Sequence, residues 1–116
     1  MTSHNLKVFI VNRGAHDYSD AERFGDLVFC TEGLVGKYNT SQMVREFEES
    51  FKDSTSEDYI LLTSLTTLCS IATAVFSNMH GCLNLLIFKE DRYVVRKVVL
   101  KARQDYDNIK IQGDLK

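Results

Sequence analysis

A chain of 116 residues with a formal net charge of −2, 26% charged and 44% hydrophobic, is long enough for one buried core and too short for two. The near-neutral, slightly acidic balance excludes a general polyanion binder. The three cysteines, Cys30, Cys69 and Cys82, form an odd set with no close pair, so they are expected as reduced core thiols of a cytoplasmic protein.

The polar start, Met1 to Asn5, holds no apolar segment of the kind that a signal peptide needs. Leu6 to Val11 is a β-branched and aromatic run and predicts a first, central strand, leaving through Asn12-Arg13-Gly14. Ser19 followed by Glu22 reads as a capping box for a short helix, Asp20 to Phe24, with Gly25 as its C-cap. Leu27 to Thr31 predicts a second strand. Its exit loop carries Gly33, Gly36 and Lys37, which resemble a phosphate cradle but lack Walker spacing, so a plain tight turn is favoured. Asn39 with Gln42 marks the start of an amphipathic helix whose apolar face is Met43, Val44, Phe47 and Phe51.

Tyr59 to Phe88 is thirty residues without Asp, Glu, Lys or Arg. Strand (Tyr59 to Leu62), helix (Leu65 to Met79, with Thr63-Ser64 as N-cap and a stop at His80-Gly81) and strand (Cys82 to Phe88) make a buried parallel βαβ unit. Ten hydroxyl, amide and imidazole side chains interrupt the stretch, which excludes a membrane span. On the helix, Thr66, Ser70, Thr73 and Ser77 form a stripe of small hydroxyl residues where a solvated face would carry Lys and Glu. A partner helix fits there, most simply the same helix of a second copy in a homodimer. A charged turn, Lys89 to Arg92, leads to a last strand, Tyr93 to Leu100. Arg96 and Lys97 interrupt its pattern one on each face, as suits a strand at the sheet border.

The expected fold is therefore α/β: a small Rossmann-like, mostly parallel sheet of about five strands flanked by helices, with a C-terminal antiparallel β-hairpin. A single domain is expected over residues 1–103, with 104–116 a polar tail expected to fray.

If the strands before the Arg13, Glu32 and Thr63 loops run parallel, their exits meet at the carboxyl edge of the sheet, where open α/β folds bind ligands. The ligand-binding residues expected there are Arg13, His16, Asp17, Tyr18, Lys37, Ser64 and Thr66. Arg13 and Lys37 would neutralise charge, Ser64 and Thr66 would donate hydrogen bonds, and Tyr18 would pack on a ring. The function that follows is a non-catalytic binding module, homodimeric, holding a small anionic or nucleotide-like ligand. The alternative is an interaction or structural accessory protein, of phage or mobile-element type in its size and plainness, without a small-molecule ligand. A third reading is a small enzyme using His16, Asp17 and Cys30, a thiol beside an imidazole. The dinucleotide, NTPase, zinc-protease and serine-hydrolase motifs are all missing, so no catalytic set, metal site or cofactor is expected. His80-Gly81-Cys82 reads as a helix stop rather than as metal ligands. Nucleic acid could meet Lys89, Arg92, Arg96 and Lys97, with Lys101 and Arg103 beyond them, but a solvated edge is favoured because aromatic interleaving is sparse.

Overall fold

Val8, Phe9 and Ile10 make up most of the first strand, β1 (Lys7–Ile10), and alternation along it sends Val8 and Ile10 to one face of the sheet and Phe9 to the other. All three are buried, because β1 has a strand on each side and packing on both faces. The computed structural model describes residues 5–32 and 39–100. The remaining elements are a 3-10 turn (Ser19–Arg23), β2 (Asp26–Phe29), α1 (Thr40–Ser50), β3 (Tyr59–Leu61), α2 (Thr66–His80), β4 (Cys82–Lys89) and β5 (Arg92–Val99).

The five strands form one sheet in the order β2-β1-β3-β4-β5. The first four are parallel, and β4 and β5 make an antiparallel hairpin. This is the expected α/β architecture, with β5 at the border. Leaving β1 the chain moves outward to β2, and leaving β2 it crosses back over β1 to β3. Right-handed connections then put the 3-10 turn on one face and both α-helices on the other. The packing follows: Ala21 and Tyr18 lie with Val8, Ile10, Leu61 and Leu86, whereas Met43, Phe47, Leu68, Ala72 and Phe76 lie with Phe9, Val11 and Ile60. Phe51 links the two helices to the sheet, its ring edge-on to Phe9 at 5.0 Å and to Phe76 at 5.5 Å.

Three local signals resolve differently from their sequence reading. Asn39 caps α1 as expected, its Oδ1 accepting the Gln42 N–H at 2.7 Å. Ser19, however, caps nothing; Asp17 Oδ1 accepts the Ser19 N–H at 2.9 Å and turns the chain into the 3-10 segment. Gly25 is not a left-handed C-cap either, that position being Phe24. The glycine is there because a Cβ would lie 2.4 Å from the Leu6 carbonyl oxygen, which accepts the Asp26 N–H. Nor do Thr63 and Ser64 cap α2. Its N-cap is Leu65, which has no polar side chain, and the loop is held instead by Cys69, whose Sγ accepts the Thr63 N–H and donates to the Thr63 carbonyl, both at 3.3 Å. At the other end the expected stop holds, with Gly81 at φ +73.

At the amino edge of the sheet, buried Asp58 ties three segments together. Its carboxylate accepts the Lys7 and Thr55 N–H groups at 2.9 and 2.8 Å, and its carbonyl accepts from the side-chain amide of buried Asn84. Among the described residues no helix is long and apolar enough to cross a membrane. The expectations about the tail and about Lys37, Lys101 and Arg103 fall outside those residues.

Candidate ligand-binding site

The chain leaves β1 toward one face of the sheet and β3 toward the other, so the loops after these neighbouring strands part and leave a crevice between them. A cavity of about 380 Å3 opens there. One wall is the loop after β1, with Asn12, Gly14, Ala15, His16 and Tyr18; another is the end of β3 and the approach to α2, Leu61 to Leu65. The third is the hairpin, through Phe88 and Tyr93. Its size is within the usual range of small-molecule sites.

Hydrogen bonds hold the wall that follows β1. Thr31 Oγ1 reaches the Val11 carbonyl and Asn12 Oδ1, both at 2.7 Å, which fastens the end of β1 to the end of β2. The Tyr18 hydroxyl donates to the Asn12 carbonyl at 3.2 Å and accepts the Gly14 N–H at 3.0 Å, closing the loop into a ring around its own phenol. His16 is thereby set among aromatic edges, with ring centroids 5.2 Å from Tyr18, 4.7 Å from Phe88 and 6.0 Å from Tyr93. Phe88 and Tyr93 face each other across the hairpin at 4.9 Å.

Two features at the cavity wall are polar and unengaged. Tyr93 is 1% exposed, and its phenol oxygen has no hydrogen-bond partner among the described residues. Burial, with the nearby Tyr18 phenol and the Asp20 and Asp17 carboxylates, pushes its pKa up to about 12, so it stays a neutral donor. The second borders the wall without lining it: at the start of α2, next to Ser64, Leu65 leaves the first N–H groups without a side-chain cap.

Of the residues expected at this edge, the structure brings His16, Tyr18 and Ser64 together in the cavity wall. Tyr18 is committed to its own loop through both hydrogen bonds. Arg13 is outside the cavity: its guanidinium lies 3.5 Å from the centre of the Phe29 ring and 3.6 Å from Glu32. Asp17 is exposed and serves the Ser19 N–H, which, with the Ser19 side chain, holds its carboxyl below the usual range. Thr66 is exposed one residue into α2 and does not line the cavity, and Lys37 falls outside the described residues.

Phe88 and Tyr93 are the wall residues that the loop-by-loop reading missed. A signal for them exists: β4 runs parallel to β3 and therefore ends at the same edge, and a two-residue turn at Glu90-Asp91 sets Tyr93 opposite Phe88.

Cys30 and His16 do not meet. Cys30 packs with the helix-face cluster near α1, and His16 sits with the aromatic residues of the opposite face. Burial pushes the Cys30 thiol up to about 12, opposed by the Ser50 hydroxyl, the reverse of what a nucleophile needs. On α2, Thr73 Oγ1 donates to the Cys69 and Ser70 carbonyls at 2.9 and 3.0 Å, and Ser77 Oγ to Ala74 at 3.1 Å. Half of the hydroxyl stripe is thus satisfied within its own helix.

No curated protein and no solved structure matches the chain. A family described as "Phage Pam3 gp32-like protein" matches residues 6–102, which takes in every strand and helix described above. The chain belongs to the Phage Pam3 gp32-like protein family.

Proposed function

We propose that this protein is a phage accessory protein that works as a non-catalytic binding module, holding a small ligand with a flat ring and an anionic group in the crevice between β1 and β3. The observation that carries the reading is the pairing of two unlike sides at one cavity: the aromatic wall, His16, Phe88 and Tyr93, and the Ser64 wall, which borders the uncapped start of α2. The rings suit the face of a base or similar heterocycle, and the Tyr93 hydroxyl supplies a donor to its rim. The free N–H groups of α2 and the Ser64 hydroxyl suit a phosphate or carboxylate. The crevice lies where a Rossmann-like sheet takes its ligands, and the family assignment supports the phage setting. Neutralisation of the anion by Arg13, as first expected, is not part of this reading, since Arg13 is engaged with Glu32 and Phe29.

The test is a thermal and NMR titration of the protein with nucleoside monophosphates and, separately, with inorganic phosphate. A binder at a hundred times its Kd adds about 2.7 kcal/mol of stability. Shifts at the Thr66 to Leu68 amides and at Phe88 are expected, and Phe88→Ala should abolish the ring contribution without unfolding a residue that is 44% exposed. No stabilisation by any nucleotide at millimolar concentration would refute the reading.

Pairing of two copies along the α2 stripe belongs to the same proposal. Thr66 and Ser70 are exposed, and the small side chains at all four positions allow a second helix to approach closely. A monomer mass at every concentration in sedimentation equilibrium would remove the dimer and leave the pocket untouched.

A further inference from the structure

β5 is a border strand with a regular pattern of backbone groups, and the hairpin turn fixes which of them point outward. Glu90 and Asp91 both have positive φ, 52° and 70°, so the turn is of the tight two-residue kind that closes on a hydrogen-bonded pair, Lys89 and Arg92. Pairs then alternate along the ladder, and the far end agrees: Leu100 donates to the Gly81 carbonyl at 3.1 Å. The N–H and C=O groups of Tyr93, Val95, Lys97 and Val99 therefore point away from β4. At Tyr93 they are taken, the N–H by Asp20 and the C=O by Arg23. Beyond Tyr93, among the described residues, only the Val95 carbonyl has a partner, the side chain of Arg96.

We infer that the β5 edge from Val95 to Val99 is a docking site for an extended acidic peptide segment of a partner protein, which adds to the sheet as a sixth strand. Asp20 and Arg23 end the site at Tyr93, which sets its length at about two outward-facing pairs of backbone groups beyond Val95. The side chains specify the occupant. Val95 and Val99 are 38% and 74% exposed on one face with Lys97 between them, and Arg96 stands exposed on the other. An added strand with apolar residues opposite the valines and acids opposite Lys97 and Arg96 matches each position. A second copy of β5 pairing antiparallel about this centre would set cations against cations, which disfavours the copy as occupant. Nucleic acid is disfavoured too, because Arg96 and Lys97 point to opposite faces and Tyr93, the ring on the Lys97 face of the strand, is buried.

The probe is a blocked eight-residue peptide whose centre reads valine, three glutamates, valine, so that in register the valines meet Val95 and Val99 and glutamates meet Arg96 and Lys97; the peptide with lysine in place of glutamate and a form N-methylated at alternate amides are the controls. With the full-length protein, the acidic peptide should slow hydrogen exchange at the Val95, Lys97 and Val99 amides by about tenfold or more, weakly in high salt. The lysine and N-methylated peptides should not. Lys97→Glu should abolish the preference between the charged peptides, and Arg96→Glu together with Lys97→Glu should invert it. Val95→Pro, which removes an outward N–H and no ladder bond, should lose binding while the circular dichroism is kept. Protection of those amides already present without peptide, equal binding of the N-methylated peptide, or binding of an oligonucleotide in place of the acidic peptide would each overturn the inference.

Discussion

The Asp20 carboxylate accepts the backbone N–H of Tyr93 at 2.8 Å, so the turn that follows β1 is fastened to the border strand of the hairpin. The Arg23 guanidinium completes the clamp on the Tyr93 carbonyl while pairing with Asp20 at 3.3 Å. Edge groups that would otherwise invite a stranger are thus used to hold the aromatic wall of the cavity in place.

That clamp makes a pH prediction. The Tyr93 N–H, followed by Arg23 and Arg92, holds the Asp20 carboxyl below its usual range despite some desolvation. A carboxyl depressed in the folded state contributes stability above its unfolded value, about 3.9, and loses it as pH falls through the folded one. Asp20→Ala should therefore lower stability at neutral pH and flatten the acid limb below pH ~4. Urea midpoints at pH 7, 4 and 3 measure it; an unchanged acid limb would show that the clamp is absent in solution.

Strand direction was legible because each apolar run ends in a polar or glycine-bearing exit, and from it came the meeting of His16 with Ser64 at one edge. What was not legible is how the backbone donors are shared out. Ser19 and Ser64 both look like helix caps in sequence, yet the N–H groups near them are taken by Asp17 and by the sulfur of Cys69, a partner that no capping pattern contains. Arg13 looked available for an anion because its attraction to the Phe29 ring needs the register of β1 on β2 to be known. Phe88 and Tyr93 stayed hidden for the same kind of reason, since their contact crosses a turn whose geometry rests on positive φ at two non-glycine residues.

Asp58 should be the most sensitive polar position. Its two carboxylate oxygens serve the N–H groups of Lys7 and Thr55, and the residue is 3% exposed. Asp58→Ala orphans both donors and should cost about 2–6 kcal/mol, at about 1–3 kcal/mol for each group. Asp58→Asn keeps one acceptor and turns an amide toward the other donor, so an intermediate loss is expected. Equal, small losses for both variants in denaturant titrations would mean that water replaces the carboxylate.

Cys30 should be the thiol slowest to alkylate. With its pKa pushed up to about 12, it is ionised at pH 8 to about one part in ten thousand, against roughly a fifth or more for an unperturbed thiol. The sign for stability is the reverse of that for Asp20: the folded state holds this proton more tightly, so stability is constant below the unfolded value, about 8.5, and falls as pH rises beyond it. Mass spectrometry after timed iodoacetamide treatment should find Cys30 modified last of the three. Early labelling of Cys30 would mean that the packing between α1 and the sheet opens readily.

Two glycines should respond to alanine for different reasons and by different amounts. Gly81 has φ +73, and a methyl group added there would meet nothing within 4 Å, so Gly81→Ala carries the conformational cost of the left-handed region alone, about 1 kcal/mol. At Gly25 the obstacle is backbone: a Cβ would meet the Leu6 oxygen at 2.4 Å and its carbonyl carbon at 2.7 Å. Relief requires moving β1 from the start of β2, and the Asp26 N–H to Leu6 bond at 2.9 Å is lost with it. Gly25→Ala should therefore cost more than Gly81→Ala, by about 1–3 kcal/mol, the range for overpacking. It should also disturb the cavity, because β1 carries the Asn12 to Tyr18 wall, whereas Gly81 lies at the opposite edge. Amide shifts that spread from Leu6 to Tyr18 in the first variant and stay near the α2 terminus in the second would bear this out; the reverse ranking of stabilities would refute it.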